Sequence, residues 1–181
     1  QSLRNPSDGA RAATAFAGAL GLPLDQAGVV GFNSAAWIEQ TLTAHRADVE
    51  AALARIPDGV REQTRIDLGI AEAHQELLGP RRLPGNRPVM IVLTDGLANP
   101  EPASTAVRRA AEAKADEITI FTIGLGDEGG LNVAELTQMA SRPDYFHRAP
   151  DAEDLAAIYR AIAVELPCPG VRLWGAAPEP R

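Results

Sequence analysis

Cysteine is nearly absent: Cys168 is the one cysteine in 181 residues. A lone thiol excludes an internal disulfide framework and leaves the redox compartment open. Aromatic residues make up only 4% of the chain, so the core has to be assembled mainly from Ala, Val, Ile and Leu. No apolar run comes near the ~20 residues that a membrane-spanning helix needs. The most apolar stretch, Ala12 to Leu22, is short, rich in Ala and Gly, and preceded by Arg11. No charged leader precedes a cleavable apolar segment, so a signal peptide is not expected. Basic clusters are missing as well, the longest being Arg81-Arg82, on a chain of net charge −7. Nucleic-acid binding needs a concentrated Lys/Arg surface, and this composition argues against it. An acidic balance is compatible with a cation partner, although most acidic surfaces only keep a protein soluble.

What is present suffices for one domain with a real core, since 45% of the residues are hydrophobic. The chain begins with Gln1 rather than Met, which suggests a processed protein or an excerpt of a longer one. Its organising stretch is Pro88 to Gly96, P-V-M-I-V-L-T-D-G. Val89 to Leu93 is an unbroken apolar run, which suits a strand covered on both faces in the middle of a parallel sheet. Thr94-Asp95-Gly96 is turn chemistry at that strand's carboxyl end, where open α/β sheets place their ligands.

The remaining segments alternate. A helix is expected over about Ala10 to Leu20 with Ser7 or Asp8 as its cap, then strands at Ala27 to Phe32 and Ala36 to Ile38 joined by the Asn33-Ser34 turn. Helices follow at Asp48 to Ile56 and from near Thr64, where Ile66, Ile70, Ala73 and Leu77 share one face. After the Pro88 to Gly96 stretch come a helix at Ala103 to Ala115, a strand at Ile118 to Ile123 and a helix at Leu131 to Ala140. A short strand at Tyr145 to His147 and a helix at Asp151 to Leu166 complete the series. Asp151, Glu153 and Asp154 suit the positive end of that last helix, and Asp67 is expected to face water. Pro167 to Arg181 reads as a Pro-rich tail or linker. The class is α/β, with a mostly parallel, doubly wound sheet and helices on both faces.

The order of segments carries a resemblance. V-G-F-N-S-A-A-W is followed by L-T-A-H-R-A-D-V-E-A-A-L, T-R-I-D-L-G-I, I-V-L-T-D-G-L-A-N, I-F-T-I-G-L-G and Y-F-H-R-A-P-D-A-E-D-L. From about residue 10 to residue 166 the chain resembles the von Willebrand factor type A (vWA) domain in a bacterial-looking form. The resemblance implies a Rossmann-like sheet with a metal-ion-dependent adhesion site (MIDAS) along its top. It implies Thr64 and Asp95 as metal ligands, because they match the second and third loops of that site. It also implies Mg²⁺ or Mn²⁺ as the cation and an adhesion or protein–protein interaction role, the metal bridging to an acidic side chain of a partner protein.

One part of the family pattern is missing. The first loop, Asp-x-Ser-x-Ser, occurs nowhere in the chain, and Ser2 and Ser7 lack its spacing. Residues 1–166 are therefore read as a vWA-like domain lacking its first central strand, with the parent protein expected to continue upstream. Two apolar strand edges, at Ala27 and Val89, would then face each other unpaired. A metal-independent scaffold module of the same fold is the alternative reading.

A third reading is a nucleotide-dependent enzyme. Gly124-Leu-Gly126-Asp-Glu-Gly129 matches G-x-G-x-x-G after a strand, with Asp144 lying 20 residues beyond Gly124. Asp127 and Glu128 would set two carboxylates where a pyrophosphate must sit, so a glycine-rich turn is the better account. His45, His74 and His147 share no metal-ligand spacing and read as surface or satisfied core residues, and Cys168 has no nearby His. Nothing resembles a nucleophile–base pair, and no enzymatic activity is expected.

Overall fold

Parallel strands run through the centre of the chain. The computed structural model describes residues 25–56, 63–95, 102–126 and 130–166. Over these the order is β1 (Ala27–Phe32), β2 (Ala36–Thr43), α1 (Arg46–Arg55), α2 (Ile66–Leu78), β3 (Val89–Thr94), α3 (Ala103–Ala115), β4 (Thr119–Leu125), α4 (Val133–Met139), β5 (Phe146–Ala149) and α5 (Ala152–Glu165). β3, β4 and β5 pair in parallel and in that order, whereas β1 and β2 form a separate antiparallel hairpin. The expected helix at 10–20 and the tail at 167–181 lie outside the described residues.

The strands bury both faces, as the unbroken apolar runs require. On β4, Ile120 and Thr122 face α2, α3 and α4, while Phe121 and Ile123 face α5. On β3, Met90, Val92 and Thr94 are buried, and Val89, Ile91 and Leu93 are half-buried against the α5 side. α3 lies close to the sheet because Ala106, Ala110 and Ala113, with almost no exposed surface, put no bulk between helix and strand. α5 buries Leu155, Tyr159 and Ile162 along one stripe, and Asp151 caps it by accepting from the N–H groups of Glu153 and Asp154 at 2.9 and 3.0 Å.

Among the described residues β1 pairs only with β2, and β3 only with β4. α2 nevertheless packs on β1, β2 and β3, and Phe32 of β1 joins the core over β3 and β4. Gly69 of α2 makes that approach work, because a Cβ there would lie 2.7 Å from Phe32 Cδ1. The two sheets are thus held under one helix rather than through a shared ladder.

Several elements differ from expectation. β2 is longer than Ala36 to Ile38 because its second half, Glu39 to Thr43, is mostly polar yet continues pairing with β1 as far as Ala27. A 3₁₀ turn at Pro143–Tyr145 precedes β5, which is shifted later than predicted. Tyr145 uses its ring elsewhere, stacking on Phe121 at 4.1 Å between centroids.

His147 is not the satisfied residue expected. Its Nε2 is buried and has no hydrogen-bond partner among the described residues. Burial holds its pKa below the ordinary 6.5, against the weaker opposing pull of Glu165 and Asp144. The unfolded chain therefore takes up a proton first as pH falls, and stability declines from about pH 6.5 downward until the folded form is protonated too. Chemical denaturation between pH 7.5 and 5 should show this slope, and His147→Phe should flatten it. An unchanged slope in the variant would remove His147 as its source.

Candidate metal edge

The carboxyl ends of β3, β4 and β5 fall at one level, since Thr94 is paired with Gly124 and Gly124 with Arg148. Asp95 follows β3 directly at that level and is exposed, while the preceding Thr94 is buried. α2 ends at Leu78, and a short loop leads to the start of β3 at Val89. Thr64 is half-buried just before the first residue of α2.

Local hydrogen bonds fix the segment around Thr64. The N–H of Arg65 donates to the carbonyl of Asn33 at 2.8 Å, tying the β1–β2 turn to the start of α2. That turn is itself closed by Asn33 Oδ1, which accepts from Ala35 N–H at 3.2 Å and the Ser34 hydroxyl at 3.3 Å. Ser34 therefore serves the turn.

Asp67 departs from the water-facing position expected of it. It is buried, and both its oxygens accept from Arg65, from Nε at 2.9 Å and Nη2 at 2.8 Å. The Arg65 guanidinium holds its carboxyl below the usual aspartate range. An acid two residues after an arginine follows no helical spacing, so its apolar surroundings gave the only signal, and a weak one. Asp67 is committed to Arg65 and is not offered as a ligand.

The donors expected from the family resemblance, Thr64 and Asp95, are one hydroxyl and one carboxylate. Hard oxygen donors of this kind suit Mg²⁺ or Mn²⁺, which keep several waters and take few protein ligands. Among the described residues no group of three or more His, Cys, Asp or Glu could hold a metal ion. Among the described residues the fit is thus to a cation held largely by water and hydroxyl oxygens.

The vWA domain model matches residues 12–161, most of the chain. The chain belongs to the von Willebrand factor type A domain family. Solved vWA structures share its fold. Proximal thread matrix protein 1 from the mussel byssus, with a zinc occupied MIDAS motif, superposes with a TM-score of 0.77 at 20% identity, over 90% of this chain and 43% of that one. The vWF domain of the type V pili tip protein Mfa5 from Porphyromonas gingivalis gives 0.71 at 14% identity, over 90% and 86%. An aerotolerance-related membrane protein from Bacteroides fragilis gives 0.70 at 19% identity, over 89% and 87%. This vWA chain spans about two fifths of the mussel protein. No curated protein matches its sequence.

The glycine fingerprint has another explanation in this vWA domain. A Cβ at Gly124 would lie 2.7 Å from Leu131 Cδ1, so that glycine allows α4 to close on β4. Gly126 has φ of +93°, which an L side chain rarely adopts. Gly124 and Gly126 are accounted for by packing and backbone, and Asp127 to Gly129 lie outside the described residues. No helix among the described residues is long and apolar enough to cross a membrane.

Proposed function

We propose that this vWA domain is a non-enzymatic protein-binding module that engages a partner's carboxylate through a divalent cation at the edge formed by Thr64 and Asp95. The observation that supports the reading is the vWA family match over residues 12–161, with Asp95 exposed directly after β3 and Thr64 lying just before α2. A bound Mg²⁺ or Mn²⁺ would supply a Lewis-acidic bridge to the partner's acid. Asp95 would offset its charge directly or through water, and Thr64 would offer a neutral oxygen. The Asn33 carbonyl bond to Arg65 holds Thr64 in place for that task. The pili tip and thread matrix proteins of the same fold are in keeping with an interaction role.

The metal-independent scaffold remains the second reading because Asp67, the first carboxylate after Thr64 in sequence, is already satisfied by Arg65. Thermal melting separates the two. A cation that binds only the folded state raises its melting temperature by mass action. The first reading expects a rise in millimolar Mg²⁺ or Mn²⁺ that is lost in Asp95→Ala. A cooperative melt without any rise supports the scaffold.

A further inference from the structure

The groove between α3 and α4 holds a buried acid that the metal edge does not use. Across a cavity of about 350 Å³, Ser104, Val107, Arg108 and Ala111 of α3 face Glu135 and Gln138 of α4. Glu135 is only 4% exposed, and its Oε1 is buried without a hydrogen-bond partner among the described residues. Capping of α4 employs the main chain of Glu135, whose N–H donates to Asn132 Oδ1 at 3.2 Å. A buried carboxylate oxygen left unpaired is costly, and such a group in a native structure calls for a partner.

The neighbouring cations of α3 do not fill that need. Lys114 donates to the carbonyls of Gln138 and Ala140 at 2.8 and 3.1 Å. Arg108 also lines the groove, but its side chain is 65% exposed and stands 4.0 Å from Glu112, with no hydrogen bond to Glu135 Oε1. Burial accordingly raises the pKa of Glu135 above its ordinary value, with the Asn132 side chain pulling the other way.

We propose that this groove receives a lysine side chain from a partner protein, its ammonium donating to Glu135 Oε1 and its stem lying along Val107 and Ala111. The small apolar walls suit a methylene chain, which prefers apolar surface along its length. A single buried acceptor suits an ammonium, whose donors rotate freely, better than a planar guanidinium that needs two acceptors side by side. Ser104 and Gln138 are exposed at the rim, where they can meet the main-chain amides flanking the lysine. The net charge of −7 favours approach of a basic surface. This inference is independent of the metal edge.

The test is a backbone amide NMR titration of the whole chain with a pentapeptide Ala-Ala-Lys-Ala-Ala, capped at both ends. The same peptide with norleucine in place of lysine lacks only the ammonium, and n-butylamine supplies the ammonium without a peptide. The expected result is saturable shifts confined to α3 and α4 for the lysine peptide, weakened at least ~10-fold for norleucine and in Glu135→Gln. Should that variant fold poorly, Ala111→Leu, at an exposed helical position, blocks the groove instead and should abolish the shifts. Equal binding of the norleucine peptide, or unchanged binding by either folded variant, overturns the proposal. Binding of butylamine without the lysine peptide also overturns it, because the groove would then take free amines.

Discussion

Glu76→Ala is expected to lower stability by about 2–4 kcal/mol, and with it the melting temperature by roughly 5–15 °C. Glu76 sits on α2 with its side chain 5% exposed. One of its oxygens accepts from the N–H of Leu42 on β2 at 2.8 Å, and the carboxylate also takes Arg81 Nε at 2.8 Å and Nη2 at 2.6 Å. Arg81 holds the Glu76 carboxyl below the usual glutamate range, with burial opposing. Truncation leaves the Leu42 N–H without its acceptor, which is the larger loss. The Arg81 side chain is about half exposed and recovers water when its partner goes. Glu76→Gln keeps an acceptor for Leu42 and is expected to cost only about 1 kcal/mol. The ordering of the two variants is decisive: equal losses would assign the effect to charge, and a loss below 0.5 kcal/mol for alanine, well under the ~1–3 kcal/mol of an unpaired buried group, would show that this carboxylate does not hold the hairpin to α2.

The second large effect is expected in the other half of the core. Phe121→Ala should cost about 3–5 kcal/mol in urea unfolding, the range for a fully buried aromatic replaced by a methyl group. Phe121 is 1% exposed, packs under α5 beside Ile123, Leu155 and Tyr159, and stacks on Tyr145. Phe121→Leu retains most of the volume and should lose far less. A loss under 1 kcal/mol for alanine would mean that α5 can settle into the cavity, contrary to the close packing described here.

The residues that announced themselves in sequence were the apolar ones. Val89 to Leu93 marked β3, which lies at one edge of the described parallel sheet, and Ile66-Ile70-Ala73-Leu77 marked the buried face of α2. Ala103 to Ala115 was legible to the residue, because a Pro-containing loop precedes it and its apolar period is regular. The polar interior was much harder to read. Asp67, Glu76 and Glu135 are buried among apolar groups, yet helical periodicity assigns every charge to the outer face. Arg65 and Arg81, each just outside the helix that carries its partner, account for Asp67 and Glu76, while Glu135 Oε1 has no such partner among the described residues. β2 was cut short for a related reason: Glu39, Gln40 and Thr41 break the apolar alternation, while pairing to β1 satisfies their backbone all the same. Thr64 and Asp95 are offered as metal ligands through family resemblance alone. Thr64 has no periodicity or composition signal of its own, and Asp95 by itself reads as a turn residue.

The central claim is that Thr64 and Asp95 hold a divalent cation, and Mn²⁺ electron paramagnetic resonance tests it most directly. Titrating Mn²⁺ into the chain should remove the free-ion signal saturably, with roughly millimolar affinity or better and with competition by Mg²⁺. Asp95→Ala should weaken that binding at least ~10-fold, equivalent to about 1.4 kcal/mol, and Thr64→Ala should weaken it less, since a hydroxyl carries no charge. Retention of the full free-ion signal by a folded chain, or identical titrations for the chain and Asp95→Ala, would contradict the account.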